Sequence, residues 1–255
     1  MTIIKAFDRP QRRDEPRVLF DEPGKSVRQL VQEHKNHLIG ADLHGQDLHG
    51  LDLTDADLQG ADLRDTDLTG ANLFGADLTG AHLENADMSG ACLKGAKLEM
   101  ANLADARLAK TDLSGAWLNR SWHEGTLERA YLAEANLTGA YMEKARLAGA
   151  NLKGARLDGA YLAYSRLVNA DLTGASLRGT VLFHADMRRT ILERASLRGA
   201  NMRFALLTGA RMAAADITGA TFATLRALDV AQDCDFDPDA VVSDAEEPPA
   251  GGKEA

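Results

Sequence analysis

A large apolar residue recurs at every fifth position through most of this chain. The stretch ADLRDTDLTGANLFGADLTG, residues 61–80, places leucines at Leu63, Leu68, Leu73 and Leu78. On an α-helix, which advances about 100° per residue, leucines five apart would spiral around the axis. On a strand they would point to alternating faces, because five is an odd number. A chain that bends once in every repeat can bury them all, so the period predicts stacked coils with a leucine-filled interior.

The other positions of the repeat support a bending chain. An alanine or threonine stands two residues before each of these leucines, where a small side chain suits a crowded wall. Glycine often stands two residues after the central leucine, as at Gly45, Gly60 and Gly70. We expect a corner there in which the backbone needs a positive φ.

The units ADLTG, ANLFG and ADLQG resemble the A(D/N)LXX repeats of the pentapeptide repeat family. The resemblance covers roughly residues 41–224. It implies an all-β solenoid: a right-handed quadrilateral β-helix with four units in each coil. Central residues run from Leu43 to Leu118 and again from Leu127 to Phe222, which at four units a coil gives about nine coils.

The ends of such a solenoid need covers. Residues 26–40 contain SVRQLVQEHKNHL, which predicts a short capping helix with Ser26 as its N-cap. Residues 1–25 form an N-terminal extension in which RVLF is a candidate edge strand. Residues 225–255 are expected to complete a C-terminal cap, with Phe222, Leu225 and Leu228 as the plug or as a dimer contact, and to continue as a disordered acidic tail.

The register breaks between two blocks of repeats, residues 41–119 and 125–224. Leu118 and Leu127 are nine residues apart where ten would be two regular steps. In the interpretation we favour, Trp122 occupies a central position inside a shortened corner. In the other, residues 120–124 form an excursion that leaves Trp122 outside, next to His123. The break also has the simple explanation of a deletion that a solenoid tolerates.

Charge is segregated along the chain, whose net charge is −9. Residues 41–120 hold 14 acidic and 6 basic side chains, a net −8, whereas residues 121–228 hold 9 acidic and 14 basic ones, a net +5. The rod is therefore expected to be an electric dipole. Antiparallel or end-to-end association into a homodimer would then depend on salt.

The sequence favours binding over catalysis. It contains no nucleophile elbow, phosphate-binding loop or dinucleotide fingerprint, and we expect no enzyme activity and no cofactor. Four histidines near the N-terminus suit helix-surface and turn positions, so we expect no metal site. They are His34, His37, His44 and His49. Two cysteines, no secretory signal and no long apolar run predict a cytoplasmic protein without a membrane partner.

The candidate interaction residues follow from stacking at the coil period of 20. Acidic ladders and columns of outward aromatic side chains are expected, the latter being typical of a contact patch. They are Asp47, Asp67, Asp87, Asp57, Asp77, Tyr141, Tyr161, Tyr164 and Phe204. An alternative explanation of the aspartates is that they hydrogen-bond the backbone of the turns.

Two functions from different classes remain. The first is a non-enzymatic interaction or scaffold protein whose rigid faces bind a protein of unknown identity. The second, implied by the family resemblance, is a mimic of B-form DNA that binds DNA gyrase or topoisomerase IV and protects it from inhibitors. Within the repeats, only residues 41–120 carry the negative charge that mimicry needs. Direct binding of nucleic acid is not favoured, because the arginines of the basic block are dispersed among acidic residues.

Overall fold

The N-terminal residues form a small cap before the coils begin. The computed structural model describes residues 3–6, 17–118 and 127–222. Strand β1, Ile3–Ala6, pairs antiparallel with β2, Arg17–Asp21, the segment that contains RVLF. Helix α1, Val27–Glu33, follows, and a 3-10 turn, Lys35–His37, leads into the first coil. The predicted edge strand is therefore present.

Helix α1 lies on the first coil. The Ser26 hydroxyl accepts a hydrogen bond from the Gln29 backbone, and the Gln29 side chain accepts one from the Ser26 backbone, which completes a capping box. Leu30 and Val31 are buried in the same core as the coil leucines. The Gln32 side-chain amide donates to the carbonyl oxygen of Asp52 at 2.7 Å. The predicted N-cap at Ser26 is confirmed.

The repeats wind into coils of four five-residue units. Parallel bridges join residues twenty apart, such as Asp47 with Asp67, through most of the described repeats. The backbone N–H of Leu63 donates to His82 in the next coil at 2.7 Å. That of Asp62 donates to Ala41 in the previous coil at 2.9 Å. A β-helix solenoid results, as the repeat predicts.

Each corner is a β-turn that begins at the central residue. The N–H of Ala61 donates to the Leu58 carbonyl at 3.1 Å, and Gly60 between them has a φ of 61°. A positive φ at the third position is what a type II turn requires. Among the described repeats, the same corner position holds a residue other than glycine in sixteen units, all with φ between 54° and 60°. The predicted positive φ is thus a property of the corner, whatever residue occupies it.

The core is a continuous stack of leucine and alanine. Among the described coil residues, no central side chain is more exposed than Leu118, at 6%. In most units the residue two before the central residue is small and buried; Gln46 and Leu51 are exceptions in the first coil. Where it is Thr66 or Thr111, its hydroxyl donates to a backbone carbonyl, that of Leu63 at 2.5 Å or Met88 at 2.8 Å. These bonds satisfy a polar group that burial would otherwise leave unpaired.

The break lengthens one coil by four residues. Trp117 bridges Tyr141, and Arg107 bridges Tyr131, each pair 24 residues apart instead of 20. If Trp122 were the centre of a unit, that coil would contain five units. The bridges on both sides of the break connect only four columns of units, so a fifth unit has no partner above or below it. The shortened-corner interpretation is therefore at odds with the flanking register, which favours the excursion. Trp122 and His123 themselves lie outside the described residues.

Several expectations for the C-terminus cannot be compared with the structure. Phe222 is buried, with 1% exposure, at the last described position. Leu225, Leu228 and the acidic tail lie outside the described residues. Within the described ranges, no helix has the length and apolar composition needed to span a bilayer.

Candidate functional site

One of the four sides of the coils gathers most of the exposed aromatic side chains that the structure describes. Its central residues are Leu118, Met142, Leu162, Leu182 and Met202. The outward positions of this side carry what we call the aromatic face. The aromatic face consists of Trp117, Tyr141, Tyr161, Tyr164, Val181, Phe183, His184 and Phe204.

The first column of the aromatic face runs along the bridged positions. Trp117, Tyr141, Tyr161 and Val181 are joined in that order by successive parallel bridges. The rings of Trp117 and Tyr141 have centroids 4.8 Å apart. Trp117, Tyr141 and Tyr161 are each 40–47% exposed, which is unusual for side chains of this size. The predicted stacking of Tyr141 on Tyr161 is confirmed.

The second column occupies successive corners of the same side. His184 lies between Tyr164 and Phe204, with ring centroids 5.2 Å and 4.9 Å away and nearly parallel planes. Phe183 meets all three rings edge-on, at centroid distances of 4.5–5.7 Å. The guanidinium of Arg203 lies 5.8 Å from the centroid of the Phe204 ring. The predicted candidates Tyr164 and Phe204 thus belong to one contiguous aromatic ladder, with His184 between them.

The residues of the aromatic ladder have a strained backbone conformation. Tyr164, His184 and Phe204 have φ values of 59°, 54° and 60°, in the left-handed region. A residue with a Cβ pays about 1–2 kcal/mol there, whereas glycine, which fills this position in many other units, does not. Backbone strain concentrates at functional sites more than elsewhere. Three aromatic residues in a row at such corners therefore single this column out.

Sequence reasoning missed two residues of the aromatic face, Phe183 and Trp117. A constant spacing of 20 would stack Trp117 on Leu137, a central residue, and not on an outward one. The 24-residue step across the break instead continues its column into Tyr141. The spacing of nine between Leu118 and Leu127 carried the necessary signal, since it also fits one regular step with four added residues.

The acidic ladder lies on the opposite side of the coils. Asp47, Asp67 and Asp87 are bridged in series, as predicted, and the series ends at Arg107. Asp57 and Asp77 also stack as predicted, on the side of the aromatic face but nearer the N-terminus. These five residues and the aromatic candidates therefore do not form one site.

The aspartates have a structural task of their own. The Asp67 carboxylate accepts from the Thr69 backbone N–H at 2.9 Å and from the Thr69 hydroxyl at 2.7 Å. Asn72 and Asn136 accept the same backbone bond at equivalent positions. Hydrogen bonds from Thr69 lower the pKa of Asp67, chiefly through the hydroxyl. The alternative explanation, that these residues bond the turns, is confirmed.

Cations from the chain itself neutralise part of the ladder. Arg28 Nη1 lies 3.0 Å from Asp47 Oδ1, and Arg107 Nε lies 3.3 Å from Asp87 Oδ2. Lys97 Nζ lies 3.1 Å from Asp77 Oδ2. The negative charge presented to a partner by residues 41–120 is therefore smaller than the number of aspartates suggests.

Within residues 3–6, 17–118 and 127–222, two groups of side chains have donor atoms close enough to hold a cation. In the first, Glu22, Glu33 and His34 gather at the end of α1, and Lys25 pairs with both carboxylates. The second joins Asp47, His49 and Asp67 on the acidic ladder, and Arg28 contacts Asp47 there. In each group a basic side chain, Lys25 or Arg28, already forms an ion pair with a carboxylate of the group.

The described residues offer a depression of about 430 Å³ at the N-terminal cap. It is open to solvent and is lined by Val18, Leu19, Phe20, Asn36, His37 and Ile39. His37 is its single titratable side chain, and acid–base catalysis needs a second group of different pKa held nearby. The depression therefore lacks the pair that would carry such chemistry.

Comparison with known proteins is consistent with this geometry. The sequence profile described as Pentapeptide repeats matches in eight copies, over residues 37–73, 66–103, 89–121, 127–162, 155–194 and 185–223. No curated protein matches the chain significantly in sequence.

Three solved structures illustrate the range of similarity. HetL, a regulator of heterocyst differentiation from Nostoc sp. strain PCC 7120, is 33% identical over 70% of this chain and 86% of its own, with a TM-score of 0.30. AT2G44920, from the Arabidopsis thaliana thylakoid lumen, is 35% identical over 40% of this chain and 64% of its own, with a TM-score of 0.31. QnrB1, a plasmid-mediated fluoroquinolone resistance protein, is 15% identical over 80% and 91%, with a TM-score of 0.39. Scores this low transfer no function to this chain.

Proposed function

The chain belongs to the pentapeptide repeat family, and we propose that it acts without catalysis, as a rigid rod that binds another protein through the aromatic face. The single observation that carries this proposal is the strained aromatic ladder, in which Tyr164 is exposed and His184 and Phe204 are half-buried. Glycine would satisfy the corner backbone at lower cost, so the coil itself does not require aromatic residues at Tyr164, His184 and Phe204. Exposed aromatic clusters of this kind mark binding surfaces.

We also infer the finer architecture of the rod. The bridges twenty residues apart support a quadrilateral coil, and the run of units supports about nine coils with the right-handed winding implied by the family. We propose an acidic β-helix over 41–119 and a basic one over 125–224, with an extension at 1–25, a capping helix within 26–40 and a C-terminal cap and tail at 225–255. The free thiol of Cys92 fits the reducing cytoplasm that we propose as its compartment.

Photo-cross-linking tests the proposed surface. Tyr161, on the aromatic face, is replaced by p-benzoylphenylalanine, and the matched control carries the same replacement at Tyr131. Tyr131 is similarly exposed but lies on the opposite side of the coils. We expect a defined protein adduct from position 161 and none from position 131 after irradiation in cells. Equal adducts from both positions, or none from position 161, would contradict the proposal.

A second candidate is the DNA mimic that binds DNA gyrase or topoisomerase IV. The bridged series of Asp47, Asp67 and Asp87 favours it, since hydrogen bonds lower the pKa of Asp47 and Asp67 and keep them ionised. The ion pairs of Arg28 with Asp47 and of Arg107 with Asp87 argue against mimicry, because they neutralise part of the negative charge of this series. A gyrase supercoiling assay with and without a quinolone tests this candidate. Protection of gyrase from the quinolone at micromolar concentrations of this protein would support DNA mimicry, and no effect on supercoiling would exclude it.

A further inference from the structure

Glycine lines the corner that precedes the side of the aromatic face. That corner holds glycine in every described coil from Gly75 to Gly219, whereas each of the other three corners holds other residues as well. A Cβ at Gly159, Gly179 or Gly199 would have no atom within 4 Å, so crowding inside the rod does not explain the glycines. A bare corner lets another polypeptide backbone approach closely. We call Gly139, Gly159, Gly179 and Gly199 the glycine edge.

Aromatic and basic side chains lie on the two sides of the glycine edge. The column that contains Tyr161 and Val181 follows the edge, two residues after each glycine. Arg156 and Arg178 precede it, and both are exposed. Neither guanidinium forms an ion pair with a carboxylate of the described residues, and that of Arg178 contacts the Ser196 hydroxyl at 3.4 Å.

The coils around the glycine edge carry a surplus of positive charge. Residues 136–205 hold 11 basic and 5 acidic side chains, a net +6. One acidic residue, Asp158, lies beside the edge, and its carboxylate already accepts from the Ser176 hydroxyl and, at 3.0 Å, from the Arg178 backbone N–H. The ligand that fits this edge is therefore an acidic chain with apolar residues for the aromatic side.

This protein contains a segment of that chemistry. Residues 229–255 hold 9 acidic and 1 basic side chains, a net −8. Within them DCDFDPDA, residues 233–240, alternates aspartate with apolar or small residues. Because successive side chains of an extended chain point to opposite sides, this pattern would give one acidic row and one apolar row.

We propose that residues 229–242 bind along the glycine edge of their own chain and cover the aromatic face until a partner displaces them. The acidic row would meet Arg156 and Arg178, and the apolar row, with Phe236, would meet the column of Tyr161. The displacement by a partner rests on the proposed function, whereas the binding of the segment does not.

The segment starts on the correct side of the rod. Phe222, the last described residue, is the next central residue after Met202 on the side of the aromatic face. Tyr161 lies three coils back, a distance of about 15 Å. Ten extended residues reach about 33 Å, so residues 223–232 are long enough to bring the acidic segment to the edge. A link this short gives an effective concentration in the millimolar range, at which a few surface contacts are sufficient.

Intramolecular photo-cross-linking of the purified full chain tests the binding. The chain carries p-benzoylphenylalanine at Tyr161, or at Tyr131 on the opposite side as the matched control. At about 1 µM protein we expect an adduct of monomer mass between position 161 and residues 229–242, and none from position 131. Mass spectrometry of the digested adduct identifies the peptide.

Charge variants separate specific binding from proximity. Arg156→Glu with Arg178→Glu should lower the yield of the position 161 adduct by about fivefold or more, because two attractions become repulsions. The control, Arg189→Glu with Arg194→Glu, reverses two exposed arginines at the corners of the opposite side and should leave the yield within about twofold. Lysine in place of the four aspartates of residues 233–240 should restore the adduct of the first variant. Circular dichroism verifies that each variant is folded.

Three results would overturn the binding of the segment. They are no adduct to residues 229–242, an adduct of dimer mass alone, and an adduct whose yield the reversal of Arg156 and Arg178 leaves unchanged. In cells, the four-lysine segment with wild-type arginines should increase the heterologous adduct at position 161, and no increase would overturn the displacement. A heterologous adduct without the intramolecular one would overturn this inference and leave the proposed function standing. The reverse result would overturn the proposed function and leave the binding of the segment standing.

Discussion

At the scale of single residues, the corner explains the composition of the repeat. Every unit needs one residue with positive φ, and glycine meets that need without strain. Residues such as Asn169 and Ala214 occupy the same corner at a cost. Departures from glycine can therefore be interpreted one by one, as tolerated strain or as a side chain kept for its contacts.

This reasoning predicts opposite effects for two substitutions. Gly95→Ala should lower the free energy of unfolding by about 1 kcal/mol, because the strain of φ 67° outweighs the gain from a stiffer unfolded chain. No atom lies within 4 Å of the new Cβ, so strain alone acts. Ala214→Gly, at φ 56°, should raise the free energy of unfolding by a similar amount. Urea denaturation measures both, and changes of the same sign would contradict the corner argument.

The turn aspartates predict how acid acts on the fold. Hydrogen bonds from the Thr69 hydroxyl and backbone lower the pKa of Asp67 below its usual 3.8. Its ionised form therefore adds stability that is present above pH 3.8 and is lost as pH falls through the lowered pKa. The stability difference between wild type and Asp67→Asn should shrink on going from neutral pH to about pH 2.

The control for this titration is an amide that accepts the same turn bond. Asn201 accepts from the backbone N–H of Arg203 at 3.2 Å and does not titrate. The effect of Asn201→Ala on unfolding by urea should therefore be constant over the same pH range. If the effect of Asp67→Asn were equally constant, the carboxylate would not contribute in the way proposed.

At the scale of elements, the sequence predicts the features that recur in every repeat. Leu63 and its equivalents, the small residues before them and the corner at Gly60 follow from the five-residue period, and the cap at Ser26 follows from local capping chemistry. The register across the break does not follow, because nine residues fit either a shortened pair of steps or one lengthened step. Only the hydrogen-bonded pairing of coils decides between them, and it is a long-range property.

The capping helix allows a test at this scale. Ser26→Ala removes the hydroxyl that accepts from the Gln29 N–H, so we expect it to cost about 1 kcal/mol in the opening of α1. Hydrogen exchange of the helix amides measures that opening. Ser26→Asp, which restores an acceptor, should return most of the protection. A loss of protection that Asp does not restore would mean that the side chain acts in some way other than capping.

At the scale of the whole molecule, function depends on which residues share a side. The 24-residue step sets Trp117 above Tyr141 and so unites the aromatic residues before and after the break. Without it, Trp117 would be separated from the column of Tyr141 and Tyr161. The proposed partner surface therefore follows from the register of the coils as much as from the residues themselves.

Pyrene excimer fluorescence tests this register most directly. In a chain with Cys92 and Cys234 replaced by serine, pyrene labels are attached through Trp117→Cys with Tyr141→Cys, or through Trp117→Cys with Asn136→Cys. We predict strong excimer emission from the first pair, whose positions are bridged, and little from the second, whose positions lie on different sides. Strong emission from the pair at 117 and 136 alone would place Trp122 inside a shortened corner, divide the aromatic face, and contradict the account.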